Sequence, residues 1–530
     1  MSDTTLTRRE ALASALAAGA FYLLPDVARA TTPVEGPAEA FSFELLKEKA
    51  RLLSRQDFKP ARIAEAETLD KLDYDRHNQI RFKPDRSLWK GQAGRSPVQF
   101  FFPGRYFKES IKVYSVEGGM AREVLFSKGL FDIPEDNPAK SLKDSVGFAG
   151  FRVQDETSGL DWMAFLGASY WRTSGYSGQF GLSVRGLALD TAVATGPEEF
   201  PRFTRFWLEP QKNGGLVAYA LLESPRATGA YRISSSRDKG VIQDIDATLF
   251  LRGDVERLGI APLTSMFWYG KQNRNLAPDW RPEVHDSDGL EIHDSEGRRT
   301  WRPLNNPPRT MANAFMADNL RGFGLMQRER SFQEYLDDGV FYEKRASAWI
   351  EPKGNWGNGA VSLVEIPTDD EIHDNIVAFW TPGPRAAAGS RYDLAYRLHW
   401  AESCPVTPDT ACFTATRIGA GGVPGQPRPA GVAKMVCDFD PHGFDGLGRG
   451  DAVLHVSTSQ GLVDNTSVYP VAGEDYWRAI FDIDFSALPE DNDDPIDIAA
   501  YVEVRGKAMT ETLLLQLFPS QLRRIVGTRA

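Results

Sequence analysis

Gly215-Leu-Val-Ala-Tyr-Ala-Leu-Leu222, Leu263-Thr-Ser-Met-Phe-Trp268 and Ile376-Val-Ala-Phe-Trp380 are short runs dense in β-branched and aromatic residues. Such runs fit a pleated, half-buried surface better than a helix. Outward from them the pattern repeats, at residues 98–102, 112–116 and 247–251, with Gly, Pro, Asn or Asp interrupting every eight to twelve residues. That is the rhythm of strands and turns, and it predicts a mainly β protein. Helical period is confined to 43–53 and 61–72.

The strand-like run 392–400 is broken by Cys404-Pro405 and Thr407-Pro408. Proline cannot donate to a β-ladder, so a linker is predicted at 401–408. The pattern predicts a large domain over 38–401 and a small one over 409–527. The latter has about seven strands, among them 452–457, 477–483 and 496–504, as in a small sandwich. Gly and Pro at 419–429 predict a mobile loop within it.

Arg8 and Arg9 precede a weakly apolar stretch over 11–24 and then Ala28-Arg29-Ala30. These are the parts of a signal peptide cleaved after Ala30. The Arg pair fits the twin-arginine route, with an ordinary secretory signal as the alternative. The stretch is shorter than the ~20 apolar residues that a membrane span needs. Periplasmic localisation follows as the expectation.

A net charge of −11 and a pI near 5.4 argue against nucleic acid, which needs a basic face, and suit a neutral ligand. Three cysteines, Cys404, Cys412 and Cys437, cannot make a disulfide framework. One local bridge between Cys404 and Cys412 is left open. The seven histidines are scattered without a metal-binding set, and no P-loop, nucleophile elbow or H-E-x-x-H stretch occurs. No metal or cofactor is expected.

Two acidic segments need explaining. Arg281-Pro-Glu-Val-His285-Asp286-Ser287-Asp288-Gly289-Leu290 is the denser. Its plain reading is a turn built by Asp, Ser and Gly. A calcium loop fails, because Gly289 as sixth residue puts Val284 first and Ser295 last, where acids are required. The other is Asp369-Asp370-Glu371-Ile372-His373-Asp374-Asn375. Its first three acids suit a solvated turn, whereas Asp374 abuts a strand that could aim it into a cleft. Two separated carboxylates, one protonated and one ionised, are what glycoside hydrolysis requires. Tyr170-Trp171, Trp207, Trp268-Tyr269, Trp301 and Trp356 offer sugar-stacking rings, although core packing accounts for most of them.

Taken with Trp301-Arg302-Pro-Leu-Asn-Asn-Pro307, Arg321-Gly-Phe-Gly-Leu-Met-Gln-Arg328, Asp374-Asn-Ile-Val-Ala-Phe-Trp-Thr-Pro382, Tyr170-Trp171-Arg172 and the block 181–190, the Arg281 segment resembles the family of periplasmic glucan biosynthesis proteins G and D. The resemblance implies a galactose-mutarotase-like N-terminal β-sandwich and an immunoglobulin-like C-terminal β-sandwich. It implies a part in making or trimming osmoregulated periplasmic glucans, by inverting endo-hydrolysis of β-1,2-glucan through two aspartates. By motif these are Asp286, expected as general acid, and Asp374, expected as general base, with Tyr342 positioning sugar or water. Tyr170, Trp171, Arg172, His285, Asp288, Trp301 and Arg302 are the expected substrate contacts. Asp288 rivals Asp286, since in an extended segment both share a face.

Two other readings compete with hydrolysis. One is a non-catalytic glucan-binding scaffold serving the inner-membrane glucan synthase. The other is an epimerase or lyase, which the fold alone does not exclude.

Overall fold

The computed structural model describes residues 33–526; the expected signal peptide lies outside them. Within them the chain is mainly β. One sheet has sixteen strands, a second ten, and a third four.

The helix Phe43–Leu53 forms where expected. Ser42 caps it by accepting the Leu45 N–H, and Leu46 and Ala50 bury against Tyr114 and Trp207. The second expected helix shrinks to Ala66–Leu69, because Glu65 ahead of it sits in the left-handed region at φ 53° and interrupts the helical path.

The ten-stranded sheet lies over the central part of the sixteen-stranded one, forming the first core. Trp171, Val184 and Leu263 point into it from the smaller sheet, and Tyr231, Ile245 and Leu398 from the larger. Gln243 joins the layers: its side-chain oxygen accepts both the Trp171 and Trp400 indole N–H groups at 2.9 Å, and its amide donates to Ser235. Two buried indole donors are thus satisfied by one acceptor, which fixes how the sheets sit on each other.

A second core lies between the far end of the sixteen-stranded sheet and the four-stranded sheet. The strand Thr512–Leu517 runs parallel beside Arg299–Pro303, pairing Leu513 with Trp301. Trp301, Met326 and Trp349 therefore pack into the second core although they precede residue 401. The chain changes sheets near 401–408, but one continuous sheet serves both cores.

Alternation along strands decides which residues leave the first core. Trp171, Val184 and Leu263 face in, so their neighbours Tyr170, Arg172, Ser183, Arg185 and Thr264 line the outer face of the ten-stranded sheet. The expected strand 263–268 is interrupted. Leu258–Ser265 ends before Met266, and Phe267–Tyr269 resumes against Val284–His285. That break brings the Asp286 segment onto the outer face.

Candidate active site

Asp286 shows no exposed surface. Its backbone N–H donates to the Met266 carbonyl at 2.8 Å, at the strand break. Its carboxylate contacts the Arg345 guanidinium, which is itself fully buried. An opposite charge in contact favours the ionised carboxylate. The Arg345 head lies over the Tyr342 ring at 4.1 Å. Its stem runs past Gly181, where a Cβ would come within 3.0 Å of it. Tyr342 is buried, and its hydroxyl donates to Glu371 at 2.5 Å. Arg281 bonds Glu371 at 2.9 Å and Asp337 at 2.7 Å. Glu371 is thus an internal anchor and not part of a solvated turn.

Asp374 is half-buried and lies just before the strand Ile376–Pro382. Asn375 pins its backbone: the Asn375 side chain accepts the Phe267 N–H at 2.8 Å and donates to the Phe267 and Ile366 carbonyls at 2.9 Å. Ser183 brings its hydroxyl to within 3.5 Å of the Asp374 carboxylate. Burial pushes the Tyr170 phenol up to about 12, and the nearby Asp374 charge adds to the rise. Both aspartates therefore flank one three-residue segment. Asp286 is tied to Met266, and Asp374 lies beside the register Ser265↔Ile376 and the Asn375–Phe267 bonds.

Asp288 belongs elsewhere. The strand Val284–His285 stops before Asp286 and another begins at Gly289, so no extended run keeps the two aspartates on one face. The Asp288 carboxylate accepts the Arg328 and Glu329 N–H groups at 3.0 and 2.9 Å. It borders a small cleft with Lys271, Glu283, His285, Trp301 and, from the second core, residues 414–416. That second-core contribution comes from a strand, not from the expected loop 419–429. Neither Asp286 nor Asp374 lines this cleft.

Four of the expected sugar contacts are buried. Trp171 is 1 % exposed and spends its indole N–H on Gln243. Arg302 is sealed in an ion pair with Glu365 at 3.0 Å, and burial pushes the Glu365 carboxyl up. Trp301 is capped by the Arg328 guanidinium 3.6 Å above its ring. His285 is fully buried between Gln327 and Glu283, both at 3.0 Å, and stacks on Phe267. Tyr170 and Arg172 remain on the outer face. Arg345, Glu371, Ser183 and Arg185 carry no spacing signal in the sequence, because their partners are brought to them only by the folded sheets.

A potential metal-binding set does form among the described residues: donor atoms of Glu291, His293 and Cys404 lie within 4.8 Å of one another. Arg299 bonds both Glu291, at 2.5 Å, and His293, at 3.0 Å, and Arg328 bonds Glu291 at 2.8 Å. The guanidinium groups already supply the positive charge there. Cys404 and Cys412 are free thiols, not a bridge. Burial pushes them up to about 12 and about 11, which keeps them protonated.

Burial also pushes the Asp288 carboxyl above its ordinary value. A carboxyl raised on folding binds its proton more tightly in the folded than in the unfolded state. Stability is therefore lost as pH rises from the unfolded value to the raised folded one. Asp288→Asn keeps an oxygen acceptor for the two N–H groups and removes the charge. The expected result is a melting temperature above wild type at pH 7, with the difference shrinking at pH 4. Melting curves of both proteins across that range check it; a gain that grows toward low pH would contradict it.

The chain matches the family described as "Periplasmic glucan biosynthesis protein, MdoG" over residues 41–517. It is 45 % identical to glucans biosynthesis protein D 2 of Ralstonia nicotianae, covering 97 % of this chain and 98 % of that one. It is 43 % identical to a probable glucans biosynthesis protein D of Shewanella oneidensis, covering 93 % and 91 %. With glucans biosynthesis protein D of Xanthomonas campestris it shares 40 % identity, covering 96 % of each. Among solved structures, a galactose mutarotase related enzyme of Lactobacillus acidophilus overlaps 49 % of this chain and 97 % of its own, at 7 % identity and a TM-score of 0.22. Among the described residues no helix is long and apolar enough to cross a membrane. The family match over nearly the whole described chain, with relatives above 40 % identity along its length, means that this protein belongs to the periplasmic glucan biosynthesis protein family.

Proposed function

We propose that the protein hydrolyses the β-1,2-glucan backbone in the periplasm, inverting the anomeric centre, with Asp374 as general acid and Asp286 as general base. The observation that carries this reading is the unequal burial of the two carboxylates. A general acid must touch the glycosidic oxygen, and of the pair only Asp374 has surface open to a substrate. A carboxylate nucleophile must touch the anomeric carbon, which Asp286, with no exposed surface, cannot do. That argues against a covalent glycosyl intermediate and for attack by water.

In this mechanism the Asp374 carboxyl gives its proton to the leaving oxygen as the C1–O bond breaks. A water loses its proton toward Asp286, through an intervening hydroxyl or water, and its oxygen bonds C1 from the opposite face. In this mechanism the Arg345 guanidinium faces Asp286 and packs over the Tyr342 ring. The roles are the reverse of those expected from motif alone. Export through Arg8-Arg9, removal of residues 1–30, and separate roles for residues 38–401 and 409–527 belong to the same proposal.

The test is to incubate residues 31–530 with linear β-1,2-glucan and follow chain length and the anomeric form of fresh ends. Shortened chains with inverted ends are expected. Intact glucan at every pH would overturn the hydrolase reading and favour a binding scaffold, and retained configuration would overturn the role given to Asp286.

A further inference from the structure

We propose that Phe200 is an outer sugar-stacking platform on the face that carries Asp374, an inference that rests on the glucan reading of that face. Nearly half of Phe200, 48 %, is exposed. A single exposed aromatic is ordinary; the way this one is held is not.

The guanidinium of Arg185 lies 5.2 Å from the Phe200 ring and also 5.2 Å from the Tyr170 ring. Arg185 is only 3 % exposed, bonds Thr264 at 3.3 Å, and is ion-paired with Glu198. A desolvated cation against a ring face is worth more than an exposed one, so it fixes the ring plane. Arg185 lies two residues beyond Ser183 on one short strand, so the two share the outer face. Ser183 is the residue that meets Asp374. Phe200, Arg185, Tyr170 and Asp374 thus follow one another along a single surface.

The segment bearing Phe200 is tied down at both ends. Asp190 accepts the Glu256 and Arg257 N–H groups at 2.9 Å. Thr191 donates to Glu198 at 2.8 Å, the Glu199 N–H donates to the Leu189 carbonyl at 3.0 Å, and Arg226 bonds the Glu199 carboxylate at 2.8 Å. The ring is presented without the entropy cost of ordering a loose loop on binding. Glu198 neutralises Arg185, so the platform offers an apolar, uncharged face. That suits the C–H face of a neutral pyranose and not an anionic ligand.

The experiment is calorimetric titration of the Asp374→Asn protein with linear β-1,2-gluco-oligosaccharides, with and without a change at Phe200. Phe200→Ala is expected to weaken binding about tenfold, the factor supplied by roughly half the transfer free energy of a buried Phe side chain. Phe200→Trp is expected to bind within about threefold of its parent. Melting temperatures of all three should agree, since the ring is at the surface; a Phe200→Ala protein that binds as tightly as its parent overturns the proposal. Failure of the Asp374→Asn protein with Phe200 intact to bind any glucan overturns it together with the function on which it rests. In the active protein Phe200→Ala should raise KM and leave kcat nearly unchanged, which a role in folding would not do.

Discussion

Asp374→Asn is expected to lower the turnover of linear β-1,2-glucan by about 10²- to 10⁴-fold, the usual contribution of a positioned proton donor. The folded state should be indifferent to the change. Asp374 is half-buried, the Ser183 hydroxyl comes within 3.5 Å of its carboxylate, and its backbone is held by Asn375, which the substitution leaves in place. Glucan affinity should also persist, because Asn fills the same space. The comparison that matters is with Asp288→Asn. Asp288 serves the Arg328 and Glu329 N–H groups at the edge of a separate cleft, so its replacement should leave turnover within about threefold of wild type. Rates and affinities of the two variants, measured side by side, decide the matter. Equal losses would mean that the pair acts as one site and that the assignment to Asp374 is wrong.

The strands were legible in the sequence because their signal is local. Expected runs at 112–116, 376–380, 477–483 and 496–504 correspond to Lys112–Glu117, Ile376–Pro382, Trp477–Asp484 and Ile496–Val504. Side-chain direction is a property of the partner sheet, and there the reading failed. Tyr170-Trp171-Arg172 looks like one aromatic and basic cluster, yet period-two alternation sends Trp171 into the core and its two neighbours outward. Trp301 and Arg302 look equally exposed in sequence, and the packing of the second core encloses both. Asp286 and Asp374 were singled out as residues, but their unequal burial was not legible. Arg345 could not be found at all: an arginine next to Lys344 in a loop reads as a solvated charge until folding brings Asp286 to it.

Arg345→Met is expected to destabilise the protein by about 3–5 kcal/mol, because it strands a carboxylate that has no exposed surface. The ion pair itself adds little net stability, since removing two charges from water offsets most of their attraction; what is costly is half a pair. The same logic predicts a loss of similar size for Asp286→Asn, which leaves the guanidinium buried against the Tyr342 ring without its counter-charge. The double variant Asp286→Asn, Arg345→Met removes both charges and keeps side chains of similar length. It should recover most of the lost stability, so that the coupling energy in the double-mutant cycle exceeds the cost of either single change. Activity should not recover, because the double variant lacks the proposed base. Urea unfolding midpoints of the four proteins, set beside their glucan cleavage rates, separate the two effects. Stability restored while cleavage stays absent identifies the pair as a charge held in place for chemistry. Cleavage restored along with stability would reduce Asp286 to a structural residue and leave Asp374 to find its base elsewhere on the outer face.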